Sequence, residues 1–272
     1  MSASTEQVND SALLGGFIGA ATGGGLYLAY HSGSLSLGSM IAIWAGVTLV
    51  AYLLGNYYPD SDDGQEPIIR AIVRGLLVGL NAVANGWLSY VIYGALFNTT
   101  VGLIAALALG LLTFVAALSP ISKSAVYQGF LAWLSWFMPA AWGVIGLGLV
   151  LMILNVIGAV ISLFGSDFFA LKGARFDAKT GTLFVKGGFV SNLNFRGTAF
   201  NMGHMAFVSK DSSDYHLDHE SGHTLNLAAF GTLFHFIGAI DENLIGKGAA
   251  AFAERLADSN AGLVSGAIGM WV

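Results

Sequence analysis

SALLGGFIGAATGGGLYLAYH, residues 11–31, runs for 21 residues without an Asp, Glu, Lys or Arg. About 20 apolar residues of helix cross the hydrocarbon core of a bilayer. The segment therefore predicts a membrane span rather than a helix of a soluble core. LSLGSMIAIWAGVTLVAYLLG, residues 35–55, predicts a second, and the stretches 68–97 and 101–119 predict two more. The run from Ser124 to Phe164 is about twice the crossing length and is interrupted at Met138-Pro139, among Trp133, Trp136 and Trp142. It predicts two spans joined by an interfacial aromatic turn, with a kinked or re-entrant helix as the alternative. The expectation is an α-helical polytopic membrane domain of about six spans over residues 1–165.

Composition agrees. The chain is 55% hydrophobic and 10% charged, with a mean hydropathy of +0.70, far more apolar than a surface that must face water. Of the 11 Lys and Arg, only Arg70, Arg74 and Lys123 precede residue 166. A second regime is therefore expected from 166 to 272, a water-facing α+β domain. The chain has no cysteine, so a metal site would use His, Asp or Glu. A net charge of −5 offers no basic face to nucleic acid, which is set aside as a partner. The leading MSASTEQVND lacks the positive region of a secretory signal, so the first span is expected to be retained. Six spans would put Arg70, Arg74, Lys123 and the C-terminal domain on one side, cytoplasmic by the positive-inside rule.

Gly15, Gly19 and Gly23 recur every four residues and mark a seam where another backbone can approach, either a neighbouring span or a second copy of the chain. The predicted spans are nearly free of ionisable residues, which argues against an ion or proton pathway. The acidic loop from Pro59 to Glu66 lacks the rest of a calcium-loop pattern and reads as solvated.

From Ser166 the texture changes to short runs rich in Phe, Val and Thr. Phe168–Lys172, Thr182–Lys186, Phe195–Phe200 and Met205–Ser209 predict a small antiparallel sheet, with a hairpin turn at residues 177–181 in which Gly181 takes positive φ. A helix is expected next, capped by Ser212 or Ser213, with Asp214 in its first turn and Gly231 just past its end.

Within that helix lies His219-Glu220-Ser221-Gly222-His223, an H-E-x-x-H pattern. Residues i and i+4 share a helix face, so both imidazoles can reach one zinc ion, with Glu220 directed at the remaining position as general base. Residue frequencies give roughly 0.002 chance matches in such a chain. The motif and its uncharged flanks, Ser221, Gly222, Thr224 and Leu225, resemble the zincin metallopeptidases, in particular the glutamate-ligand branch, the gluzincins. The resemblance covers the motif helix and the segment after it. It implies a third ligand on a later helix, commonly in an E-x-x-x-D arrangement whose aspartate braces a zinc histidine. Glu254 and Asp258 supply that arrangement, and Glu254 is the favoured ligand. Glu242, in Gly238-Ala239-Ile240-Asp241-Glu242-Asn243, is the alternative, although Gly246 stands where its aspartate would be.

His216 reads as an accessory or merely solvated group rather than a fourth ligand, and Tyr215 as a candidate oxyanion donor that is not adopted because it precedes the motif on the same helix, while His204 and His235 read as structural histidines that find a hydrogen bond in the core. By analogy with zincins, the strand before the helix would bind substrate backbone by strand addition. The resemblance implies a membrane-anchored zinc metalloprotease acting on polypeptides. The competing reading is a non-enzymatic membrane subunit or scaffold that keeps a zincin-like fold to bind a partner; such a subunit would need the ligands but not Glu220.

Overall fold

The computed structural model describes residues 4–58, 66–117, 124–193, 199–211, 217–245, 248 and 251–264. Helices α1 (Thr5–His31), α2 (Leu37–Tyr57), α3 (Ile68–Leu96) and α4 (Thr99–Phe114) begin the chain. Ser4, Ser36 and Asn98 cap α1, α2 and α4, each accepting a backbone N–H of the first turn that the helix itself cannot satisfy. With α6 (Trp142–Ser162) and α8 (Leu217–Ile240), these form six helical segments long and apolar enough to cross a membrane. Their outward faces carry exposed Leu, Ile, Val and Phe, such as Leu53, Leu107, Ile153 and Val160, as a lipid-facing surface requires. The chain has the build of an integral multi-pass membrane protein.

The six are not the six the sequence predicts. Between Ser124 and Pro139 lies α5 (Ala125–Leu134), of only 10 residues, followed by a 3-10 turn at Ser135–Phe137. At 1.5 Å per residue, α5 is about 15 Å long, half a bilayer core. A single span, Pro139–Ser162, remains where two were expected. The sixth candidate by length and composition is α8, which carries His219, Glu220, His223 and His235, but a non-helical Gly231 divides it into arms 217–230 and 232–240, each shorter than the about 20 residues of a crossing helix.

The glycine seam is filled from within the chain. A Cβ on Gly15 or Gly19 would lie closer than 3.0 Å to the carbonyls of Ile72 or Leu76, and one on Gly75 or Gly79 would meet Ala12 or Gly16 likewise. Helices α1 and α3 therefore touch backbone to backbone, and Gly23 continues the seam against Val83 and Trp44. Gly75→Ala is expected to cost about 1–3 kcal/mol through overpacking. Gly46→Ala, with nothing within 4 Å, is expected to cost nothing. Thermal midpoints of both variants in detergent check the contrast.

After α6 come β1 (Leu171–Asp177), β2 (Thr182–Gly187), the short helix α7 (Phe189–Asn192), β3 (Ala199–Met202) and β4 (Met205–Val208). The sheet order is β1-β2-β4-β3. It is mixed rather than antiparallel, because β2 pairs with β4 in parallel. The crossover through α7 and β3 allows this, whereas a chain of hairpins would not. The β1–β2 hairpin turns as expected, with Gly181 at φ +70. The first expected strand is displaced: Asp167–Phe169 is a 3-10 turn and β1 starts at Leu171. Of the expected third strand, residues 195–198 lie outside the described residues, as do Lys123, most of the acidic loop, Ser212, Ser213, Asp214, Tyr215 and His216.

One core joins the two halves of the chain. Tyr52, Val73, Leu77, Val144, Leu227, Phe234 and Phe252 belong to a single buried cluster, so α8 and α9 (Phe252–Val264) pack directly on α2 and α3. Arg70, expected among the topology-setting charges, is buried with its guanidinium 5.0 Å from the centre of the Phe252 ring. Arg74 forms an ion pair with Glu66 at 2.9 Å.

Candidate metal centre

Helix α8 is broken. Gly231 has φ 80 and ψ −179, which no helix contains, so the arm 217–230 ends where the sequence places its end and a second arm, 232–240, leaves in another direction. Twelve residues of straight helix would separate two side chains by about 18 Å, yet the rings of His223 and His235 are 6.1 Å apart. The break is stabilised from α3: Asn81, near the middle of that helix, donates from Nδ2 to the carbonyls of Ala228 at 3.3 Å and Ala229 at 2.9 Å. These are carbonyls that a helix C-terminus leaves unpaired. Backbone freed inside an apolar bundle must find such a partner.

The first arm is bolted to the sheet along its rear face. Ser221 donates to Asp177 at 2.9 Å, Thr224 donates to the Gly203 carbonyl at 2.7 Å, and Asn201 of β3 donates to the Glu220 carbonyl at 2.9 Å. Thr180 and Thr182 complete this buried network from the hairpin. The two unspecified positions of H-E-x-x-H thus have separate duties. Ser221 ties the arm to the hairpin, and Gly222 lets α9 approach, because a Cβ there would lie closer than 3.0 Å to the Ala257 carbonyl. Asn226 adds a hydrogen bond to the Ala253 carbonyl at 2.9 Å.

The opposite face presents His219 and His223 to α9. Their Nε2 atoms are 3.0 Å apart, with the Glu254 carboxylate 3.1 Å from His219 and 3.4 Å from His223. Ligand atoms of His219, His223 and Glu254 all lie within 4.8 Å of one another, the one such group among the described residues. Asp258 stands behind, its Oδ1 2.7 Å from His219 Nδ1. A proton held at Nδ1 by that carboxylate leaves the Nε2 lone pair facing the cluster. Burial alone would raise the Glu254 carboxyl, but its close contacts with the two imidazoles outweigh burial and hold it far below the ordinary carboxylate range. A carboxylate kept ionised beside two imidazoles is a donor set for a divalent cation.

Glu220 is 4% exposed, and its Oε2 has no hydrogen-bond partner among the described residues. A buried polar atom without a partner is costly in a native protein and calls for an explanation such as a bound ion or water. With three converging donors and the buried Glu220 one residue along the helix from His219, the residues fit a metal that keeps a position open for water. Glu242, the alternative third ligand, lies in the π-helical turn Asp241–Ile245 and is not part of the three-residue cluster. His204 bonds Ser135 at 2.8 Å and the Gly181 carbonyl at 3.0 Å, and burial pushes its pKa down to about 4. His235 bonds the Asn201 carbonyl at 3.0 Å. Both are hydrogen-bonded core histidines.

No family model, curated protein or solved structure matches this chain. Reading the sequence misses Tyr52, Asn56, Asn81 and Asp241, all buried and all hydrogen-bonded to or beside the elements that carry the cluster. A signal did exist: an amide inside an apolar span must find a partner, and that partner is often another helix.

Proposed function

We propose that the chain is a membrane-embedded zinc metallopeptidase in which His219, His223 and Glu254 hold zinc and Glu220 is the general base. The observation that carries this reading is the convergence of the three donors, on the helix of a buried Glu220 whose Oε2 has no hydrogen-bond partner among the described residues. The match of H-E-x-x-H and E-x-x-x-D to the gluzincin pattern supports it. Zinc bound there would supply Lewis acidity, lowering the pKa of water and polarising a peptide carbonyl. Asp258 fixes the tautomer and ring orientation of His219. Glu220 accepts the proton that water gives up and passes it to the departing amine. Burial of Glu220 excludes bulk water from that exchange. The substrate is a polypeptide that reaches a site built against membrane helices.

The test is metal analysis and proteolysis on the full-length protein in detergent. Wild type is expected to carry about one zinc per chain and to cleave unfolded polypeptides, with cleavage lost to a chelator and restored by zinc. His223→Ala and Glu254→Ala are expected to lose most of the metal, and Glu242→Ala to keep it. Retention of zinc by Glu254→Ala with loss in Glu242→Ala would reverse the ligand assignment. Zinc-loaded protein without activity on a broad panel of polypeptides would favour the non-enzymatic scaffold.

A further inference from the structure

Glu254 is the third residue of α9, and the start of that helix is held by a helix from the other end of the chain. Asn56 Oδ1 accepts the Phe252 N–H at 2.7 Å, and the Tyr52 hydroxyl accepts the Ala253 N–H at 3.4 Å. Both donors belong to a helix N-terminus and have no intrahelical partner. Side chains on α2 thus cap α9 immediately before its ligand residue. Asp241 sets the direction of both caps. Its Oδ2 accepts Asn56 Nδ2 at 2.7 Å and the Tyr52 hydroxyl at 3.1 Å. Because a carboxylate only accepts, it turns the Asn56 amide nitrogen toward itself and leaves Oδ1 for α9.

Tyr52, Asn56 and Asp241 are each buried to 9% exposure or less. Tyr52 also packs its ring on Phe234 and Phe252, with centroids 5.3 and 5.8 Å away. From the other side, Asn226 of α8 fixes the Ala253 carbonyl. Residues Phe252 and Ala253 are therefore clamped between α2 and α8, and the direction in which Glu254 leaves the helix is set by the clamp.

We propose that Tyr52, Asn56 and Asp241 are positioning residues for Glu254, fixing the third donor so that metal affinity and coordination geometry depend on membrane helix α2. The inference rests on the reading of His219, His223 and Glu254 as a metal site. Partners that orient a ligand typically contribute about 10–100-fold in metal affinity.

The experiment uses full-length protein in detergent, zinc affinity by chelator competition, and the visible absorption of the cobalt-substituted protein, which reports coordination geometry. Asn56→Asp sets two carboxylates against each other at the Asp241 contact and is expected to weaken zinc binding about 10–100-fold and to alter the cobalt spectrum. The double variant Asn56→Asp with Asp241→Asn reverses donor and acceptor at that contact and keeps an oxygen for the Phe252 N–H, but removes the acceptor of the Tyr52 hydroxyl, and is expected to restore both readouts in part. Tyr52→Phe keeps the ring packing and removes only the hydroxyl; it is the second variant should Asn56→Asp fail to fold, and a smaller loss of affinity with an altered cobalt spectrum is expected. Wild-type affinity and spectrum in folded Asn56→Asp or Tyr52→Phe would overturn the positioning role while leaving the metal site standing. Absence of zinc binding that depends on His219, His223 and Glu254 in the wild-type background would overturn the metal reading, and this inference with it.

Discussion

Glu220→Gln is expected to keep the fold and the bound zinc but to reduce peptide hydrolysis by about 10²–10⁴, the usual contribution of a general base. The amide matches the carboxylate in size, so the packing around a side chain that is 4% exposed is preserved. The Glu220 main-chain carbonyl that Asn201 holds is untouched. What disappears is the capacity to take a proton at the buried oxygen that has no partner among the described residues. Zinc content measured on the same sample separates lost chemistry from lost metal. Equal cleavage by wild type and variant would exclude Glu220 as the base.

Gly222→Ala is expected to act on the metal without touching a ligand. The added Cβ would fall closer than 3.0 Å to the Ala257 carbonyl, and backbone cannot yield as the end of a flexible side chain can. Helix α9 must shift, and Ala257 lies between Glu254 and Asp258, so ligand and brace move together. Zinc affinity is expected to fall by about 10–100-fold, with about 1–3 kcal/mol of stability lost to overpacking. Ser221→Ala is the comparison. It removes the hydrogen bond to Asp177 at 2.9 Å, costs about 1 kcal/mol, and leaves the α8–α9 contact and the zinc affinity intact. Chelator competition and thermal midpoints on the two variants distinguish a displaced ligand helix from a weakened fold. Equal zinc affinity in Gly222→Ala and wild type would contradict the close-approach argument.

Legibility followed the range of the forces involved. Lipid demands that each crossing segment be apolar along its whole length, so α1 to α4 could be read locally. The same local rule overcounted between Ser124 and Phe164, because composition does not say how much of an apolar stretch is spent on a short buried helix and a turn. The hairpin at 177–181 was equally local, since only a turn residue tolerating positive φ fits there. The pairing of β2 with β4 was not, because it depends on where the chain returns after α7.

The site divides in the same way. Two imidazoles four residues apart on one helix face, a glutamate beside them and an E-x-x-x-D sequence are short-range facts, and the sequence by itself determined them as candidates. The sequence also determined that Gly231 would end a helix. Only the tertiary structure decided that the next arm folds back until His235 comes within 6.1 Å of His223. It alone brought Glu254, and not Glu242, within ligand distance of both histidines. It also gave α2 and α3 the task of capping the elements that carry the cluster. The physical reason is that a helix terminus and a break each leave backbone groups unpaired, and an apolar interior has no water to satisfy them. Which distant amide does so is set by how the helices pack, and no local pattern records it.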